Sequence, residues 1–203
     1  IRLLSMSRRK SQAQSRPKTP DQYYGSVEIS QFINMIMQDG KKQLATRIVR
    51  QSFESLYAFY LKDLGGKTTI DLSKGSGEDS ADSDEERSGG AINFADLDKK
   101  EAVVRLFDAI LDRVGPNLEL VSKRVGGANI QVPVMVRADR RSTLAMRFLI
   151  KNARSRVSQM KSFSNGLSQE MIDVLKGSAK SLDDKEQTLR MAKANAVFGG
   201  IRR

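Results

Sequence analysis

No cysteine, histidine or tryptophan occurs among the 203 residues. Without thiols there is no disulfide and no thiolate nucleophile. Without imidazole there is no histidine base, and nearly all zinc sites are excluded. The missing cysteine identifies no redox compartment; it says only that no disulfide contributes to stability. Aromatic residues make up 6% and hydrophobic residues 39%, which limits the chain to a modest core. No apolar run approaches the roughly 20 residues that a membrane-spanning helix needs. Acids are also scarce, with 24 Asp and Glu against 35 Lys and Arg, a net charge of +11. That balance favours a polyanionic partner, nucleic acid first and an anionic membrane second.

What is present is organised around Asn117 to Arg156, NLELVSKRVGGANIQVPVMVRADRRSTLAMRFLIKNARSR. Leu118 to Val125 and Ala128 to Val136 are rich in Val, Ile and Leu and flank Gly126-Gly127. A two-residue hairpin turn needs positive φ, which glycine takes without a Cβ clash. With Gly126 and Gly127 as the turn, Val125 pairs with Ala128 and Val121 with Val132. That register puts Val121, Val125, Ile130, Val132 and Val134 on one face, with Lys123 as its polar exception. Ser122, Arg124, Asn129 and Gln131 share the other. Pro133 cannot donate to the ladder, so its nitrogen faces outward. Two strands alone are marginal in water, so this hairpin needs a support or a ligand.

A helix follows, expected to start at Ser142 as its N-cap. Arg147, Lys151 and Arg154 fall at i, i+4 and i+7, one helical face, while Ala145, Phe148, Leu149 and Ala153 form an apolar stripe. Arg137, Arg140 and Arg141 fill the connection, and Arg156 closes the stretch. From Val121 to Arg156, Lys123, Arg124 and these cations face a single acid, Asp139. A hairpin with a basic tip followed by a basic helix has the character of an RNA-binding surface. The alternative is a hairpin packed in the core beside a merely solvated helix.

Residues 1–25 form a basic arm. Arg2, Arg8, Arg9, Lys10, Arg16 and Lys18 occur there with no acid before Asp21. Such arms order by neutralising phosphate; a solubilising tail is the other reading. Residues 26–203 read as one helical domain. Ser26 caps a helix to about Gln38, buried through Ile29, Phe32, Ile33 and Ile36, with Gly40 at the left-handed C′ position. A second helix runs from about Lys42 to Lys62, its stripe running from Leu44 and Ala45 through Ile48, Val49, Ser52 and Phe53 to Leu56 and Phe59. Lys41 and Lys42 stand at its positive end, where a bound anion would offset their cost; plain solvation is the alternative.

Residues 65–93 form an acidic Gly/Ser-rich insertion, with six acids and one base from Glu78 to Arg87. It has almost nothing to bury and is expected to be disordered, projecting into solvent or toward a basic protein neighbour. DSADSDEE offers oxygen ligands but lacks the spacing and closing Glu of an EF-hand, so no metal is expected. A third helix spans Ala95 to Val114, begun by Asp96 or Asp98 and stopped by Gly115-Pro116. After the basic helix, a link around Ser158 to Gly166 precedes a short helix, Leu167 to Leu175. Lys176 to Asp184 is polar, and a last helix spans about Lys185 to Val197.

At SKRVGGANIQVPVMVRADRRSTLAMRFLIKNARSR the chain resembles the small-subunit ribosomal protein seven family, whose motif runs close to SRRVGG, a short gap, QVP, an Arg-rich turn and ALAMRW. Lys123 replaces one Arg of that pair, and Phe148 stands where Trp is usual. SRRK at Ser7 to Lys10, FINMIMQDGKK and RMAKANAVF are also similar to family segments. Leu189 replaces a usual His and Lys193 a usual Glu, which puts in doubt any contact those side chains make in relatives. The family has a short connection where residues 65–93 are inserted.

The resemblance implies a mainly α fold of about six helices with one projecting hairpin. It implies a structural role in translation: binding the 3′ major (head) domain of small-subunit rRNA, nucleating head assembly beside neighbouring head proteins, with the hairpin near exit-site tRNA and the mRNA path. The expected rRNA contacts are Arg8, Arg9, Lys10, Lys41, Lys42, Lys123, Arg124, Arg137, Arg140, Arg141, Arg147, Lys151, Arg154 and Arg156. No enzyme activity, cofactor, membrane or homo-oligomer is expected. A hydrolase built on the acidic insertion would lack a rigid scaffold. A free nucleic-acid regulator or DNA compactor is the remaining alternative, marked by sequence-tolerant DNA affinity. Residues upstream of Met6 and a first residue other than Met suggest a processed precursor and a mitochondrial location, with bacterial cytoplasm or plastid as alternatives.

Overall fold

The computed structural model describes residues 17–63, 98–125 and 127–200. The arm through Arg16, with Arg8, Arg9 and Lys10, the insertion at residues 65–93, and Gly126 lie outside the described residues. The described chain is mainly helical, with seven α-helices and one antiparallel hairpin.

Helix α1 (Val27–Ile36) starts as its sequence directs, the Ser26 side chain accepting from the Ile29 N–H at 3.4 Å. It buries the expected Ile29, Phe32, Ile33 and Ile36. It ends sooner than expected. Met37 turns extended, at ψ 134°, and the positive φ falls on Asp39 and Gly40. Gly40 thus makes the tight turn into the next helix and is not the C′ residue of α1. Helix α2 (Lys42–Asp63) packs through Ala45, Val49, Ser52, Phe53, Leu56 and Tyr60. With the buried seam centred there, Leu44 falls at its margin and stays half exposed, at 51%.

Helix α3 (Lys99–Val114) is preceded by Asp98 as N-cap residue, although that side chain makes no capping bond. Its Phe107 is the hub of an aromatic cluster, 5.0 Å from Phe32 of α1 and 5.3 Å from Phe53 of α2 between ring centroids. Such pairs add roughly 0.5–1.5 kcal/mol each beyond the area they bury. Between α1 and α3, Glu28 and Asp108 set two carboxyl groups together. Burial first, then the hydrogen bond and charge of Glu28, push Asp108 from its ordinary 3.8 up to about 7.

Strands β1 (Leu118–Val125) and β2 (Ala128–Met135) pair in the expected register, Val125 with Ala128 and Val121 with Val132. Gly127 has φ +94°, where any other residue is strained. The support that two strands need comes from the C-terminal segment: helix α7 (Lys180–Ala194) packs on β1, and a short 3₁₀ turn (Ala196–Gly200) packs on β2. Val132 of the apolar face is buried and Ile130 half-buried, whereas Val121 and Val134 are exposed.

Helix α4 (Ala138–Ser155) begins one turn before Ser142. Arg137 is the extended N-cap residue and offers no side-chain cap. The first-turn residues Ala138 to Arg140 are exposed, and a helix start open to solvent needs no side-chain cap. Ser142 instead sits inside the helix, its Oγ donating to Glu28 Oε1 at 3.5 Å.

One turn of helix, α5 (Val157–Met160), ends at Lys161 with φ +58°. Then comes α6 (Phe163–Lys176), longer than expected because the supposed link is its first turn. Its Ser164, Gly166 and Ser168 are buried. A Cβ on Gly166 would lie 2.9 Å from the Ala153 carbonyl oxygen, so only glycine lets α6 approach α4 this closely. Ser52 Oγ of α2 donates to the Ser164 carbonyl at 3.0 Å. Helix α6 touches α2, α3, α4, α5 and α7, and is the centre of the bundle.

Helix α7 starts at Lys180, not Lys185, and stops at Ala194, not Val197. Its first turn is capped from another helix. The buried Glu170 carboxylate of α6 accepts from the Ser181 N–H at 2.9 Å and from Ser181 Oγ at 2.6 Å.

Candidate nucleic-acid interface

The basic face of α4 forms as its spacing requires. Arg147, Lys151 and Arg154 are all exposed, opposite the buried Ala145, Met146, Leu149, Ile150 and Ala153. Their settings differ. Lys151 Nζ lies 3.1 Å from both carboxylate oxygens of Asp184 on α7. Arg147 and Arg154 have no ion pair among the described residues. Two free guanidiniums and one partly offset ammonium therefore present themselves on this face.

Tertiary packing adds a cation that sequence spacing did not link to them. The α1–α2 turn brings Lys41 to one side of a groove of about 490 Å³ whose other side carries Arg154. Lys42 is also exposed, as the first residue of α2. It opens onto a second, larger groove of about 1190 Å³ that continues past Arg47 and Arg50 beside residues 19–22. Arg47 and Arg50 were missed in the sequence. The available signal was spacing: Lys42 with Arg50, and Gln43 with Arg47, recur at multiples of four along α2. The Tyr23 ring lies 4.4 Å from the Arg50 guanidinium carbon and 4.7 Å from Lys100 Nζ, within cation–π range of both.

Other candidates are drawn away from the surface. Arg156 is largely covered. Its Nε lies 2.7 Å from Glu170 Oε2 and its guanidinium also holds Asp173, so it joins α4 to α6 inside the protein. Arg141 is half-buried and closes the end of α3, donating to the Asp112 carbonyl at 2.8 Å and the Gly115 carbonyl at 3.3 Å. The run RADRR gives no sign of these partners, because they come from helices far away in sequence. Arg140 pairs with Glu119 of β1 at 3.2 Å while staying exposed. Arg137 and Arg124 are exposed, and Lys123 is half-buried. Arg140 thus ties the first turn of α4 to β1, while Arg141 and Arg156 brace α4 against α3 and α6.

Among the described residues no group of His, Cys, Asp and Glu is placed to hold a metal ion, and no helix is long and apolar enough to cross a membrane. The arrangement is a rigid helical scaffold that displays cations, and its class is settled by comparison. A family model described as Ribosomal protein S7p/S5e matches residues 7–196. The chain is 37% identical over 197 residues to Small ribosomal subunit protein uS7 of Acidiphilium cryptum, covering 97% of this chain and 99% of that one. It is 35% identical over 197 residues to the protein of the same name from Magnetococcus marinus, with the same two coverages of 97% and 99%. The protein so named in Protochlamydia amoebophila is 32% identical over 193 residues, 95% of this chain and 97% of that one. The chain is therefore a ribosomal protein, a structural constituent and not an enzyme. It belongs to the Ribosomal protein S7p/S5e family.

Proposed function

We propose that this protein is a constituent of the small ribosomal subunit that binds the 3′ major domain of its rRNA and nucleates assembly of the head. The observation that supports this most is the exposed α4 face, with Arg147 and Arg154 free of ion pairs among the described residues and Lys41 and Arg154 lining one groove. Guanidinium groups clamp phosphate bidentately and stack on bases, which suits folded RNA. Arg137, Arg140, Lys123, Arg124 and Lys42 extend the contact surface, and the arm with Arg8, Arg9 and Lys10 adds phosphate neutralisation. Arg47 and Arg50 join this set. Arg141 and Arg156 support it from within.

The hairpin lies toward exit-site tRNA and the mRNA path. Its outer apolar residues, with Met135 81% exposed, suit neighbouring head proteins. The relatives named above are bacterial, which supports a ribosome of bacterial kind; a mitochondrial location is the finer reading and is tested by fractionating tagged protein with mitochondrial ribosomes. Binding itself is tested by titrating a transcript of the 3′ major domain across salt concentrations. A log-linear salt dependence, with duplex DNA of equal length a poor competitor, supports the proposal. Equal competition by DNA refutes it.

A further inference from the structure

Between the α1–α2 turn and the α4–α6 corner lies the groove of about 490 Å³. This is within the size range of small-molecule pockets. Its walls are apolar: Leu44 and Ile48 of α2 on one side, Val157 and Phe163 on the other. Leu44, at the margin of the buried seam of α2, is 51% exposed. Two cations flank this apolar floor, Lys41 and Arg154, and one acid, Asp39, lies in the turn. A protein surface that binds only phosphate has no use for an open aliphatic and aromatic slot between its cations. Single-stranded RNA supplies both parts, because each nucleotide joins a flat apolar base face to a phosphate on either side.

We propose that this groove takes one unstacked base of a single-stranded RNA segment. The base lies against Leu44 and Phe163, while Lys41 and Arg154 hold the flanking phosphates. The Asp39 carboxylate offers only hydrogen-bond acceptors, so it pairs with a donor on the base edge, an amino or ring N–H group. The inference rests on the rRNA-binding reading above and names a pocket within that interface.

The chain has no tryptophan, so Leu44→Trp places a lone indole, excited apart from the tyrosines, at the mouth of the groove. The probes are the 3′ major-domain transcript and heparin, a polyanion without bases. The expected result is that both bind, RNA quenches the indole emission by stacking, and heparin leaves it nearly unchanged. A second variant, Leu44→Ser, should weaken RNA binding roughly fivefold or more, in line with the loss of one base–side-chain stack. The salt slope should not change, because no phosphate contact is removed. Salt-dependent RNA binding without selective quenching, and with Leu44→Ser as tight as the parent, overturns the pocket and leaves the wider interface standing. Failure of the unsubstituted protein to bind the transcript overturns both.

Discussion

Replacing Arg147 and Arg154 together by alanine tests the α4 interface most directly. Both side chains are exposed and free of ion pairs among the described residues, so the native fold loses little. The one local cost is at Arg154, whose charge sits favourably in the last turn of α4, worth roughly 0.3–1 kcal/mol. If each guanidinium neutralises one phosphate, the slope of log affinity against log salt falls by about 0.7–0.9 per residue, or roughly 1.4–1.8 for the pair. Extrapolated from about 1 M salt, where this contribution vanishes, the loss at about 0.15 M is roughly 15- to 30-fold. Lys151→Ala should do much less. Its ammonium already faces Asp184 at 3.1 Å and is less available to a phosphate. The assay is filter binding of the 3′ major-domain transcript from low to high salt, with thermal melts to verify folding. An unchanged slope in the double variant would refute the interface. An effect of Lys151→Ala as large as that of either arginine would refute the argument that Asp184 holds its charge back.

Arg156→Met should destabilise the fold by about 3–5 kcal/mol, because it strands the fully buried Glu170 charge without its partner; a urea midpoint unchanged from the parent would disprove that. Gly127→Val should disorder the hairpin tip, since φ +94° costs a β-branched residue of the order of 1–2 kcal/mol, yet leave the helical core intact. Unshifted hairpin NMR resonances would contradict it. Asp108→Asn addresses the raised acid: between its ordinary 3.8 and about 7 the native state holds a proton that the unfolded chain releases, so native stability declines as pH rises through that window. The amide should remove that decline and make the variant relatively more stable above about pH 7 than at pH 4, read from paired melts; parallel pH profiles would show that Asp108 titrates normally.

Much of this molecule was legible in the order of its residues. The hairpin register followed from the glycine pair and the period-two pattern, and β1 and β2 pair as that pattern required. Ser26 capped its helix, and the apolar repeat of α1 faced inward, because periodicity and local side-chain-to-backbone bonds act over a few residues. The basic face of α4 is likewise a property of spacing alone.

The tertiary structure decided where helices begin when the cap comes from elsewhere. Helix α7 starts at Lys180 because Glu170, a residue of α6, satisfies Ser181, and no local motif encodes that. The same holds for α6: Ser164, Gly166 and Ser168 have the composition of a linker, yet they are the small groups that let it approach α2 and α4. It also sorted the arginines. Along the sequence Arg141, Arg147, Arg154 and Arg156 are alike in charge, but two close against distant carbonyls and carboxylates and two are left to solvent. Charge is a property of composition, whereas its availability to a phosphate depends on which partner the fold brings within about 3 Å.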